Sequence, residues 1–102
     1  MGENIALISE ISRNETGQIL ANIQGKWSYR LTFDVVGECR FDIKLRNNVT
    51  NKVMKNLTLH NEFISGSYNF PFVSLEDGVL VYDFRGIGGG IITNIKVIKG
   101  VR

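Results

Sequence analysis

The chain has 102 residues and a net charge of +2, with 43% hydrophobic residues, 11 Gly, one Pro, one Cys and one His. That length makes a single domain, residues 1–102, able to bury about two-thirds of its unfolded surface without staples. A lone Cys and a lone His exclude a disulfide framework and a Cys/His metal clip. The hydrophobic fraction is too high for a disordered chain, and the small surplus of positive charge does not make nucleic acid or an anionic membrane the main partner.

The opening residues lack a basic segment and a small-residue cleavage site, and the longest apolar runs fall far short of a membrane helix, so synthesis in a reducing cytosol is expected. Gly2 invites a myristoylation reading, but Ala6 stands where that motif wants Ser or Thr. Triplets at Asn14-Glu15-Thr16, Asn48-Val49-Thr50 and Asn56-Leu57-Thr58 are read as products of an Asn-rich sequence; the first two coincide with expected turns.

Ile5, Leu7 and Ile11 suggest a first strand, and Ile19, Ala21 and Ile23 a second, with a turn through Arg13 to Gly17 between them. Gly25 breaks the pattern before Trp27. Trp27, Tyr29, Leu31, Phe33 and Val35 then alternate with Ser28, Arg30, Thr32 and Asp34, the signature of a half-buried strand. After Val36-Gly37-Glu38 the pattern restarts: Cys39, Phe41, Ile43 and Leu45 on one side, Arg40, Asp42, Lys44 and Arg46 on the other. Two such runs around a glycine turn predict a hairpin, with Arg30 and Asp34 placed to pair with Asp42 and with Arg40 or Lys44.

A polar loop from Asn47 to Lys52 precedes Val53, Leu57 and Leu59, and then Phe63-Ile64 and the alternating Tyr68, Phe70 and Phe72. Pro71 marks that last strand as edge or irregular. Asp77-Gly78 is a turn signal. Two closing strands follow, at 79–84 and 91–98, joined by a glycine-rich loop through Gly86, Gly88, Gly89 and Gly90. No stretch carries sustained helical spacing. The expectation is an all-β fold, an antiparallel β-sandwich of about eight short strands.

Catalytic constellations are thin. His60 has no Ser or Cys motif nearby to serve as a triad base, and Cys39 shares a face with Phe41 and Ile43, the place of a small buried hydrophobe. Asp34, Glu38, Asp42, Glu62, Glu76, Asp77 and Asp83 leave a glycosidase-like carboxylate pair open, against the small size of the domain. Glu76, Asp77 and Asp83 lack the every-other-residue ligands of a calcium loop. The glycine run lacks the Lys-Ser/Thr of a phosphate loop and precedes β-branched residues instead of a helix. A single-stranded nucleic-acid barrel is weakened because Trp27, Tyr29 and Phe33 share the core face, opposite basic residues interleaved with Asp34 and Asp42. No cofactor or metal is implied.

From Gly25 onward the order of segments, Gly25-Lys26-Trp27 into Tyr29-Arg30-Leu31-Thr32-Phe33, Phe41-Asp42-Ile43-Lys44-Leu45, Tyr68-Asn69-Phe70-Pro71, Asp77 through Gly86, and Ile92-Thr93-Asn94-Ile95-Lys96-Val97, resembles the small jelly-roll-like β-sandwich virion proteins of tailed phages, including capsid decoration (cement) proteins and tail-associated modules. The resemblance covers about three quarters of the chain. It implies a non-enzymatic protein made in the host cytoplasm and carried on the virion, bound to the major capsid protein or another virion protein and self-associating, with no nucleic-acid or membrane partner. Under that reading the contact candidates are the first strand with Ile5 and Leu7, the loop with Asn48, Asn51 and Lys52, the loop with Gly86, Gly88 and Gly89, and the tail with Arg102. Carbohydrate-binding modules have the same outline. A carbohydrate- or receptor-binding role would place exposed aromatics on one face, with Tyr68, Phe70 and Phe72 as the candidates.

Overall fold

The computed structural model describes residues 2–101. Six strands build it: β1 (Glu3–Asn4), β2 (Glu15–Ile23), β3 (Trp27–Asn47), β4 (Val53–Asn56), β5 (Glu62–Ser74) and β6 (Gly78–Lys99), with no helix among the described residues. All pairings are antiparallel. β6 pairs β3 along most of both lengths, β1 and β2 lie on the far side of β6, and β4 and β5 lie on the far side of β3. Chain direction groups these into four long runs, 3–23, 27–47, 53–74 and 78–99, ordered first, fourth, second, third across the sheet.

Each long run folds back on itself. Phe33 and Phe41 are eight positions apart on β3, which would separate them by about 27 Å on a straight strand. Their rings instead meet edge to face at 5.0 Å between centroids. The sheet is therefore doubled over: 27–35 and 91–99 sit in one layer, 39–47 and 78–86 in the other. At one edge the layers are joined directly, the Leu7 N–H donating to the Leu20 carbonyl at 2.9 Å. The result is an antiparallel β-sandwich of jelly-roll type, with Leu20, Leu31, Phe33, Phe41, Ile43, Leu80 and Ile92 among the side chains fully buried between its layers.

The expected hairpin at Val36-Gly37-Glu38 is not there, and neither is the expected loop at 85–90. Both stretches are bends inside continuous strands, so the eight segments read from the sequence resolve into six strands, three of which, β3, β5 and β6, pass through both layers. The physical reason is visible in the burial parity of β3. Every odd residue from Tyr29 to Val35 and again from Cys39 to Leu45 is buried. A ribbon doubled over keeps one face inside on both halves, so its inward parity never changes.

Glycine makes the bend sterically possible. Between Val36 and Glu38 β3 advances two residues while β6 advances four, from Ile87 to Ile91, which places Gly88 and Gly89 in a bulge with φ of 60° and 84°. Gly37 bends β3 at φ 88°. A Cβ on Gly90 would overlap the Glu38 carbonyl oxygen, and one on Gly86 would lie 2.6 Å from the Gly90 carbonyl oxygen. The glycine run is thus a place of close backbone approach.

Other departures have local causes. A bulge between Ile19 and Ala21 turns Ile19 outward, 48% exposed, and Leu20 inward. The segment through Ile5, Leu7 and Ile11 is regular only at β1 and at an Ile11–Ile92 bridge. Leu57 is buried, but Val53 and Leu59 are exposed. The ion pairs expected between the halves of β3 do not form, because those halves occupy different layers. Arg40 pairs with Glu62 at 3.1 Å, and Lys44 with Asp42 at 3.6 Å.

Cys39 is buried as expected, and burial pushes its thiol up to about 11. Ellman's reagent should therefore leave it unmodified in the native protein and titrate it once the chain is unfolded. For the bend, Gly90→Ala should lower stability by about 2 kcal/mol or more through backbone overlap. Gly88→Asn should cost well under 1 kcal/mol, since Asn tolerates the left-handed conformation and nothing lies near its Cβ. Equilibrium denaturation of both variants measures the difference; equal costs would mean the bend does not depend on close approach.

Candidate functional site

The even residues of β3 that point away from the core belong to two different outer surfaces. On the 27–35 layer these are Arg30, Thr32 and Asp34, aligned with Pro71, Asn69 and Ser67 of β5. On the other side Arg30 and Thr32 align with Ile98 and Lys96 of β6. Between Thr32 and Asp34 the register of β6 slips by one residue, leaving a bulge at Asn94, which sits at φ 53°. The bulge reverses the inward parity of β6, from Ile92 to Ile95, and turns Asn94 outward beside β3.

That local irregularity assembles a polar cluster. The Asp34 carboxylate accepts from the Asn94 side-chain amide at 2.8 Å on one oxygen and from the Ser67 hydroxyl at 2.7 Å on the other. The Asn94 amide first, then the Ser67 hydroxyl, hold the Asp34 carboxyl below the usual carboxylate range, with the Lys96 charge acting in the same direction. Around them lies a depression of about 540 Å³, bounded by Thr32, Asn69, Lys96 and the flank of Tyr68. A carboxylate held ionised by two fixed donors is an acceptor; Lys96 offers donors, and Thr32, Ser67, Asn69 and Asn94 offer both. Asp34 is the one carboxylate among the described residues that line this depression.

Aromatic residues take no exposed position here. Phe72 is buried, and Tyr68 and Phe70 are half-buried, stacked on Phe33 at 5.5 and 5.9 Å. Trp27 is half-buried beneath the Lys99 ammonium, 4.1 Å from its ring centroid. The exposed aromatic face that a stacking-based sugar site would use is absent among the described residues. His60 is exposed, and no group of three or more His, Cys, Asp or Glu side chains is placed to hold a metal among the described residues.

The contact candidates lie far apart in the fold. Asn48, Asn51 and Lys52 are exposed in the turn between β3 and β4, where the Asn47 side-chain oxygen accepts from the Val49 and Thr50 N–H groups. Gly86, Gly88 and Gly89 lie at the opposite end, in the bend. Ile5 is half-buried along the sandwich edge, its N–H donating to the Val97 carbonyl, and Leu7 is 58% exposed. Arg102 lies outside the described residues. The Asp34 cluster escaped sequence reading because Ser67 and Asn94 are 33 and 60 positions from Asp34. One signal was present: the three-residue step from Ile92 to Ile95 breaks the period of two.

No family model and no curated protein matches the chain. Among solved structures, the CBM22-1 xylan-binding domain of Xyn10C from Paenibacillus barcinonensis is similar, with a TM-score of 0.58 at 5% identity over 91% of this chain and 72% of that one. The carbohydrate-binding module CBM6cm-2 of lichenase 5A from Cellvibrio mixtus, solved with cellotriose, aligns over 98% of this chain and 86% of that one, at 12% identity and a TM-score of 0.42. The first of these likenesses bears out the fold.

The cluster predicts a titration. By NMR, the Asp34 carboxyl should titrate below the 3.8 of a free Asp side chain, and should move back up in Asn94→Ala, which removes the larger of its two donors. An unchanged titration in that variant would separate Asn94 from the site.

Proposed function

We propose that the protein is a non-catalytic carbohydrate-binding module that holds a polyhydroxylated chain on the outer face of the 27–35 layer. The observation that carries this reading is the Asp34 carboxylate fixed between Asn94 and Ser67 in a surface depression. Sugar hydroxyls donate and accept at once, as the Thr32, Ser67, Asn69 and Asn94 side chains of this depression do. The sandwich shared with a xylan-binding domain supports the reading. With the aromatics at least half-buried, hydrogen bonds do the orienting, and those to the charged Asp34 carboxylate are the stronger ones.

Isothermal titration against soluble xylan and cello-oligosaccharides, with a glycan array to widen the panel, tests this. Asp34→Ala should lose on the order of tenfold or more in affinity while keeping its circular dichroism spectrum and thermal midpoint. A silent array, or equal binding by that variant, would remove the proposal.

A second reading keeps the protein as a virion accessory protein seated on a capsid lattice. It is favoured by three aliphatic side chains at the bend, Val36, Ile64 and Ile87, which are 56%, 67% and 44% exposed, with Glu38 between the last two. Such a patch suits a protein partner. Co-sedimentation with purified capsids should then be lost in Ile64→Asp and Ile87→Asp; protein that never sediments with capsids would end this reading.

A further inference from the structure

The outer face of the second layer carries its charges in rows that conflict across the ladder and alternate along it. Glu38 stands opposite Ile87, Arg40 opposite Arg85, Asp42 opposite Asp83, and Lys44 opposite Val81. Two consecutive rows therefore set like charges directly side by side, a destabilising arrangement within one sheet. Internal contacts offset it only in part. Asp83 accepts from the Gly17 N–H at 2.7 Å, Asp42 pairs with Lys44 at 3.6 Å and accepts from the Thr58 hydroxyl at 3.5 Å, and Arg40 reaches Glu62, but Arg85 has no ion pair or side-chain hydrogen bond among the described residues. A depression of about 190 Å³ lies beside the arginine row and one of about 300 Å³ beside Asp42, Lys44 and Asp83.

This pattern is its own complement. Rows on one face of a strand pair lie about 6.8 Å apart, two residues at about 3.4 Å each. A two-fold axis parallel to the rows, passing between the arginine and aspartate rows, lays Arg40 over Asp42 and Arg85 over Asp83 of another copy. The same rotation lays Glu38 over Lys44 and Ile87 over Val81. Each of these four contacts occurs twice, as a two-fold interface requires. Another partner would need the same alternation with the same spacing, which a second copy supplies by construction.

We propose that two copies of this chain associate face to face through this surface, β3 lying on β3 and β6 on β6. Four strands about 4.8 Å apart over nine residues cover on the order of 600 Å² a side, the size of a weak contact. The Asp34 surface lies on the other layer and stays free in the pair.

Charge reversal tests the arrangement. Asp42→Lys/Asp83→Lys makes the two rows uniformly positive, and Arg40→Glu/Arg85→Glu makes them uniformly negative. By sedimentation equilibrium, each variant alone should be monomeric while their equimolar mixture forms a heterodimer. The unaltered protein should dimerise, with affinity falling about tenfold or more between about 0.1 M and 1 M salt as the screening length shrinks from about 10 Å to about 3 Å. Circular dichroism establishes that both variants are folded; if either is not, the salt dependence of the unaltered protein decides. A monomer at every concentration and salt overturns the proposal, as does a dimer indifferent to salt or to both reversals, or binding of a different macromolecule on this face with no self-association.

Discussion

The fold depends on the contact of Phe33 with Phe41, two residues of one strand brought face to edge by the bend between them. A strand that crosses both layers ties them covalently. The inward residues of β3 and β6 reach the same core from above and below. Phe63 adds to this centre, meeting Phe33 at 5.4 Å and Phe41 at 6.5 Å from the edge strand β5. Edge-to-face packing of this kind adds about 0.5–1.5 kcal/mol per pair beyond burial. The bend is bought with glycine, since the backbone of Gly90 lies against the Glu38 carbonyl with no room for a side chain.

How much of this was legible in the sequence follows from what periodicity encodes. Alternation from Tyr29 to Leu45 identified the inward face correctly, and Cys39 fell inside it. Alternation does not distinguish a strand that turns back beside itself from one that doubles over, because both keep the same faces. Gly37 and the run from Gly86 to Gly90 read as loops, since glycine marks tight turns and close backbone approach alike. Bulges at Leu20 and Asn94 shift parity by one residue and are visible only as irregular spacing. The Asp34 cluster was beyond reach, because its members are neighbours only through the register of three strands.

Two outer surfaces with different chemistry emerge from one strand. Up to Asp34 the outward residues of β3 join small polar side chains of β5 and β6; after Glu38 they join a ladder of alternating charge. The small net charge conceals this division. In the first surface hydrogen-bond donors and acceptors are fixed against one another, which suits a neutral polar ligand. The second is organised by sign, with Arg40 paired to Glu62 and Lys44 to Asp42 inside the chain. Every aromatic side chain is at least half-buried, so polar, charged and aliphatic groups make up both surfaces.

The pairing of Glu3 with Lys99 has a mechanical consequence. The two ends of the described chain leave the sandwich side by side on neighbouring antiparallel strands. Tension applied through them acts across the β1–β6 ladder and opens its hydrogen bonds one after another, as a zipper opens, where strands pulled lengthwise past each other would have to break theirs together. The edge of the 91–99 layer is therefore its mechanically weak seam. The doubled core, held by a strand whose two halves are pulled along the same chain, yields only after that seam has parted.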